Sequence, residues 1–271
     1  QELVAVSWNV DLGTGRVHDL VSDLRAGRVP GLPAARHLVL ILQEMHRRGP
    51  EVPEMTPDAE AAAEIEVPPG APDVRALAAS LGLHAVYVPS MRNGAHRRED
   101  RGNAILSTEP LAAPCAVDLP FERQRRVVVA ASVRVMAGEQ AAPLHLVNVH
   151  LDALSARSVL WVFENPRRRQ MAAVFELLEA PRFARGAGTI LAGDFNTIRS
   201  GAREEIYRAA RTWSHGLDRE DRRPTHAMGR LDYVFARLAP GWSAEAIRLD
   251  DRYGSDHFPV AARFRRLAGA R

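Results

Sequence analysis

The chain has 271 residues, 46% hydrophobic and 25% charged, so it carries enough apolar material for a sizeable core and is excluded from the disordered classes. All 36 of its basic side chains are arginine, the formal charge is +3 and the pI about 9.6, a balance that permits an anionic substrate without describing a surface that coats nucleic acid. The single Cys115 excludes an intramolecular disulfide and a cysteine-built zinc site, and no apolar stretch is long enough to span a membrane. Arginine-only usage together with a high alanine and proline content fits a GC-rich coding sequence. Any basic site built from arginine is nevertheless suited to forked contact with phosphate oxygens. The chain opens on Gln1 rather than methionine, which fits removal of a secretion signal, for a secreted or periplasmic protein, or trimming of a cytoplasmic one.

In chain order, Leu3 to Asn9 reads as a buried strand with a polar end. Val17, Leu20, Val21 and Leu24 then recur at helical spacing, and Leu38 to Leu42 is a second strand ending at Gln43-Glu44. Residues 49–73, rich in proline, alanine and glutamate, read as an irregular excursion with one helical turn near Ala59 to Ile65. Val74 to Leu81 is a predicted helix stopped by Gly82. Short strands follow at His84 to Pro89, Asn103 to Ser107, Val127 to Val135 and Leu144 to His150, then an amphipathic helix at Arg168 to Leu178. The last strands are Thr189 to Asp194, Arg230 to Phe235, Ala244 to Leu249 and Phe258 to Phe264. Many short strands with few helices predict two packed sheets, and no composition break divides residues 1–271, so one domain is expected.

Polar residues fall at the ends of these strands: Asn9, Glu44, His150, Asp194 with Asn196, Asp232, and Asp256 with His257. Each alone has a simpler explanation as a turn former, an exposed acid or a core histidine. Together they place carboxylates, carboxamides and histidines around one cleft. Adjacent strand residues face opposite ways, so Asp256 and His257 share a pocket only if the chain bends, as Gly254 permits. Oxygen-rich donors without cysteine suit Mg²⁺ or Mn²⁺, and with no His-Glu-x-x-His helix zinc is the poorer match.

The order Ser7-Trp8-Asn9-Val10-Asp11, Gln43-Glu44, Gly102 to Ser107, Asn148-Val149-His150-Leu151-Asp152, Gly193-Asp194-Phe195-Asn196, Arg230-Leu231-Asp232-Tyr233 and Ser255-Asp256-His257 resembles the endonuclease/exonuclease/phosphatase superfamily. A bacterial member would fit the composition. The resemblance spans residues 7 to 257 and implies an α/β fold of the DNase I-like type: a four-layer sandwich of two mainly antiparallel sheets flanked by helices. It also implies roles. Asn9, Glu44 and Asp256 correspond to metal-binding positions, with Asp11 behind them or touching substrate. Asp194 and Asn196 correspond to the pair that orients the attacking water and meets the phosphate, and His257 to the catalytic histidine oriented by Asp232. His150 corresponds to a phosphate contact or an acid for the leaving group. Tyrosine is common at the His150 position in abasic-site endonucleases, which argues against that activity. DNase-like relatives support the second histidine with a glutamate, but the register around Glu99, Asp100 and Arg101 leaves the partner of His150 unassigned.

Arg123, Arg125 and Arg126, and Arg167 to Arg169, read first as solvated basic faces, with phosphate binding the alternative and Arg126 its foremost candidate. Trp161 and Phe163 sit in a segment expected near the cleft. The expected function is a divalent-metal-dependent phosphoester hydrolase, foremost a phosphodiesterase using in-line water attack; a DNase-like DNA or RNA endonuclease and a catalytically silent phosphate-binding module are the alternatives. A monomer is expected.

Overall fold

The computed structural model describes residues 2–52, 71–92, 98–121, 124–137, 139–153, 166–197, 215–216 and 223–267. The helical turn expected near residues 59–65, Arg123, Trp161 and Phe163 lie outside the described residues. Strands β1 (Glu2–Asn9), β2 (Leu38–Arg48), β3 (His84–Arg92), β4 (Glu99–Ser107), β11 (Trp242–Arg248) and β12 (Val260–Arg266) form one sheet in the order β11-β12-β1-β2-β4-β3. The other sheet is β5 (Ala112–Asp118), β6 (Val127–Ala137), β7 (Gln140–His150), β8 (Gly188–Asp194), β10 (Asp232–Leu238) and the short β9 (His215–Gly216), in the order β5-β6-β7-β8-β10-β9. Pairing is antiparallel except for β1 with β2 and β7 with β8, near the middle of each sheet. With helices α1 (Val17–Arg25) and α2 (Val74–Leu81) packed on one sheet and α3 (Pro166–Leu178) on the other, this is the four-layer α/β sandwich.

Strand alternation assigns the apolar residues to three cores. Leu3 and Ala5 of β1, Val39 and Ile41 of β2, Leu144 and Leu146 of β7, Ile190 and Ala192 of β8, and Val234 and Ala236 of β10 fill the space between the sheets. The intervening Val4, Val6, Trp8, Leu38, Leu40 and Leu42 pack against α1 and α2, while Val147, Val149, Leu191, Tyr233 and Phe235 pack against α3. These strands are covered on both faces and therefore read as continuous apolar runs. Each fully buried Leu, Ile or Phe contributes about 1.5–3 kcal/mol relative to exposure.

The inward face turns polar as it reaches one edge of the sandwich. By the same two-residue period, Ala5 leads to Ser7 and Asn9, Leu146 to Asn148 and His150, Ala192 to Asp194, and Val234 back to Asp232. The parallel pairs bring Asn9 opposite Gln43 and His150 opposite Asp194, while antiparallel β10 sets its first residue, Asp232, beside Asp194. Buried Asn148 fastens the two sheets beneath this edge. Its Nδ2 donates to Leu42 O at 2.8 Å and to Ala104 O at 2.9 Å, and its Oδ1 accepts from Gln43 Nε2 at 2.8 Å.

Gly193 lets β7 and β8 approach at this level. With φ 151°, it has so little room that an added Cβ would lie 1.8 Å from Val149 O. Gly193→Ala is expected to cost about 2–4 kcal/mol through backbone strain and overpacking. Urea unfolding checks this as a lower midpoint.

Two sequence expectations need correction. Leu38 to Leu42 does not end at Glu44: the strand runs on to Arg48 through a register shift between Leu42 and Met45, with Glu44 at φ 58°. Glu44 is therefore presented by a β-bulge, a device that re-aims one side chain. Strand β5 was not predicted because it is a short, largely exposed edge strand with no alternating apolar residues.

Candidate active site

Asp194, at the end of β8, is buried and held on both carboxylate oxygens. Oδ2 accepts from Asn9 Nδ2 at 3.1 Å and Oδ1 from the Asn196 backbone N–H at 2.9 Å. Asn9 Oδ1 accepts from the Asp11 N–H at 3.0 Å, turning the chain as it leaves β1. Asn196 has φ 50°, a conformation asparagine tolerates, and its Nδ2 donates to Leu151 O at 2.9 Å. The side-chain N–H of Asn196 thus braces the chain just past the end of β7.

Asp256 and His257 turn toward one another, 3.8 Å between Oδ1 and Nε2, with Gly254 bending the backbone at φ 90° just before them. His257 Nδ1 donates to Asp232 Oδ2 at 2.7 Å in a buried pair, so Nε2 turns toward the cleft, 3.9 Å from Asp194 Oδ2 and 3.8 Å from Asp256 Oδ1. Its backbone is also fixed: His257 O accepts from Trp8 Nε1 at 3.0 Å, and His257 N–H donates to Ser255 Oγ, which in turn donates to Asn9 O at 2.7 Å. Asp256 is half exposed. Leu12 N–H donates to Glu44 Oε2 at 3.3 Å, and Arg101 approaches the same oxygen at 3.8 Å. His150 Nε2 faces Asp194 Oδ2 at 3.6 Å and Glu44 Oε1 at 3.9 Å.

The basic clusters are solvated only in part: Arg168 and Arg169 are exposed, as expected of a solvated face, whereas Arg126, Arg167 and Arg125 are not. Arg126 is 3% exposed and Arg167 4%, while Arg125 is half-buried and donates to Pro89 O at 2.7 Å. The partner left unassigned for His150 is Arg126, whose Nη1 donates to His150 Nδ1 at 3.1 Å. Glu99 and Asp100 are instead engaged by Arg48 and Arg47.

Burial shapes the charges here. Desolvation, then the neighbouring Asp232 charge, push the Asp194 carboxyl up to about 7. Desolvation acts against a charged His257, yet Asp232, helped by Asp194 and Asp256, holds its imidazole up to about 10. Desolvation, then Arg126 and Arg101, keep His150 well below its ordinary value. For Asp194 the raised value means that burying the ionised carboxylate costs stability increasingly as pH rises from 3.8 through about 7, while the stabilising contribution of charged His257 is complete below 6.5 and is lost as pH rises through about 10. The metal-free protein is accordingly expected to lose Tm steadily between pH 6.5 and 10, and Asp232→Asn to flatten that slope. Calorimetric scans in EDTA read both.

The Endonuclease/Exonuclease/phosphatase family model matches residues 6–257. The chain belongs to this family. No curated protein sequence matches it significantly. Among solved structures, the endonuclease/exonuclease/phosphatase from Beutenbergia cavernae superposes with TM-score 0.65 at 19% identity, covering 98% of this chain and 72% of that one. The human Nocturnin catalytic domain with bound sulfate gives 0.61 at 16%, covering 98% and 94%. D. rerio TDP2 complexed with a single-strand DNA product gives 0.60 at 18%, covering 98% and 99%. At these identities the superpositions establish the shared DNase I-like fold. The family consists of phosphoester hydrolases that generally use divalent metals.

The donor set here fits such an ion. The Asp11 carboxyl is raised by burial and then by the charges of Asp256 and Glu44, so three carboxylates confront one another on the open side of the cleft. A divalent cation offsets that repulsion, and oxygen donors suit Mg²⁺ or Mn²⁺. Among the described residues, the donor groups that close within 4.8 Å are Asp194, Asp232 and His257, and His226, Asp256 and His257. His226 does not present a lone pair there. Its Nδ1 accepts from the Met228 N–H at 3.0 Å, so in the neutral ring the Nε2–H donates to Asp256 Oδ2 at 3.1 Å.

His226 and Thr225 escaped the sequence reading. Thr225 Oγ1 accepts from the N–H groups of Leu231 and Asp232, anchoring the start of β10, and the His226 ring lies 4.7 Å from that of His257. The local signals that could have marked them are Pro224 just before and Gly229, which closes the Ala227-Met228 turn ahead of Arg230-Leu231-Asp232.

Proposed function

We propose that the protein is a divalent-metal-dependent phosphodiesterase. The observation that carries this reading is the buried Asp232–His257 pair, 2.7 Å between Oδ2 and Nδ1, with the free imidazole nitrogen turned to Asp194 and Asp256. Hydrolysis needs a proton acceptor for water, a group that holds the water in line, and stabilisation of phosphoryl charge. His257 Nε2 takes the proton, and Asp232 fixes the tautomer and stabilises the resulting imidazolium. Asp194, held by Asn9 and the Asn196 N–H, accepts a hydrogen bond from the water and orients it. His150 Nε2 faces the same space from β7. Asn9, Glu44 and Asp256, with Asp11 beside them, would hold Mg²⁺ or Mn²⁺, which when bound supplies Lewis-acid stabilisation of phosphoryl oxygens.

Nuclease activity is the second reading, favoured by the pI of about 9.6 and by the resemblance in fold to a TDP2 complexed with single-strand DNA product. Assaying aryl phosphodiesters, aryl phosphomonoesters and single- and double-stranded oligonucleotides side by side in Mg²⁺ separates the readings. Diester turnover without strand cleavage supports the first, strand cleavage the second, and monoester turnover alone rejects both.

A further inference from the structure

We propose that Arg126 is a positioning residue that fixes His150 as an Nε2–H donor, and so selects, of the two roles the family resemblance implies for this histidine, contact with a phosphoryl oxygen over protonation of the leaving group. The inference deepens the phosphodiesterase reading and rests on it for the identity of the acceptor. A guanidinium only donates, so at 3.1 Å the contact from Arg126 Nη1 makes His150 Nδ1 the acceptor. The neutral ring must then carry its proton on Nε2. A carboxylate at Nδ1 would impose the opposite arrangement, as Asp232 does for His257. The two histidines of one cleft are thus held at Nδ1 by partners of opposite charge, His150 accepting there and His257 donating.

Arg126 has little freedom to move away. It is 3% exposed, its Nη2 donates to Gln124 Oε1 at 2.8 Å, and its Nε faces Asp152 Oδ1 at 3.5 Å. Asp152 is held in turn by Gln170, which accepts from the Asp152 N–H at 2.9 Å and donates to Asp152 Oδ2 at 3.3 Å. At the other end of the imidazole, the nearest carboxylate oxygens lie at 3.6 Å on Asp194 and 3.9 Å on Glu44, beyond good hydrogen-bond length. The Nε2–H therefore points between two carboxylates at the space where substrate would lie. A phosphoryl oxygen there would gain a donor already oriented by a chain of buried contacts running back to α3.

The test combines a spectroscopic and a kinetic arm. In ¹⁵N-histidine-labelled wild-type protein, His150, assigned by its disappearance in His150→Gln, is expected to show a pyridine-type Nδ1 and a pyrrole-type Nε2 shift. Arg126→Gln, with folding checked by circular dichroism, is expected to give a mixture of tautomers. Kinetically, His150→Ala should lower kcat about 10²–10³-fold, the scale of losing one oriented donor. His150→Gln, which keeps an N–H but cannot release a proton, should recover all but about tenfold of it. Both losses should be equal for diesters with p-nitrophenyl and phenyl leaving groups. A pyrrole-type Nδ1, a His150→Gln variant as inactive as His150→Ala, or a loss that grows with leaving-group basicity would overturn the proposal. If the wild-type protein cleaved no phosphodiester, the proposed function would fall, while the NMR arm would still decide whether Arg126 sets the tautomer.

Discussion

Replacing Asp232 by Asn is expected to lower kcat by about 10⁴-fold, the scale seen when the carboxylate behind a catalytic histidine becomes an amide, with little change in KM. Asp232 Oδ2 sits 2.7 Å from His257 Nδ1 and is buried, so the carboxylate dictates which nitrogen carries the proton. An amide N–H turned toward Nδ1 would force that nitrogen to accept and move the proton to Nε2, leaving no acceptor for water. The fold should survive, because the backbone of β10 is anchored through the Thr225 hydroxyl and not through the Asp232 side chain. Steady-state kinetics with a matched circular dichroism spectrum reads the result, and a loss of less than tenfold would remove Asp232 from the role.

Chelation of divalent ions is expected to abolish turnover, and Glu44→Gln to raise the Mg²⁺ concentration at half-maximal rate by about 10–100-fold. Glu44, Asp11 and Asp256 raise the local negative charge together, and neutralising one of them weakens the attraction for a cation more than it disturbs packing, since Glu44 stands on a bulge at the cleft. A cation bound beside Asp256 also opposes the positive charge on His257, whose imidazole is otherwise held up to about 10. Binding should therefore release protons near neutral pH, readable by calorimetry in buffers of different ionisation heat. Full activity in EDTA would contradict the metal dependence.

How much was legible follows from what sequence signals encode. Asn9, His150, Asp194 and Asp232 are legible in the sequence as polar residues where apolar strand patterns end, and the structure shows why: each lies at period two on an inward strand face that turns polar where the sheets end. Asp256 and His257 were found because the Gly254 turn announced a bend before β12. Glu44 was found but its setting was misread, since a β-bulge leaves the apolar run Leu38 to Leu42 unchanged. Arg126 was singled out, but its burial was not visible: a run of arginines looks alike whether it faces water or, as here, packs beside His150, Gln124 and Asp152. His226 was missed because its contact with Asp256 spans 30 residues and belongs to tertiary packing alone.

Hydrolysis of bis-p-nitrophenyl phosphate by the wild-type, Asp194→Ala and His257→Ala proteins, each titrated with Mg²⁺ or Mn²⁺ and then with EDTA, tests the central claim most directly. The account predicts metal-dependent turnover by the wild-type protein that EDTA abolishes and that both substitutions reduce by at least about 10²-fold. Equal turnover by all three proteins, or turnover indifferent to EDTA, would contradict it.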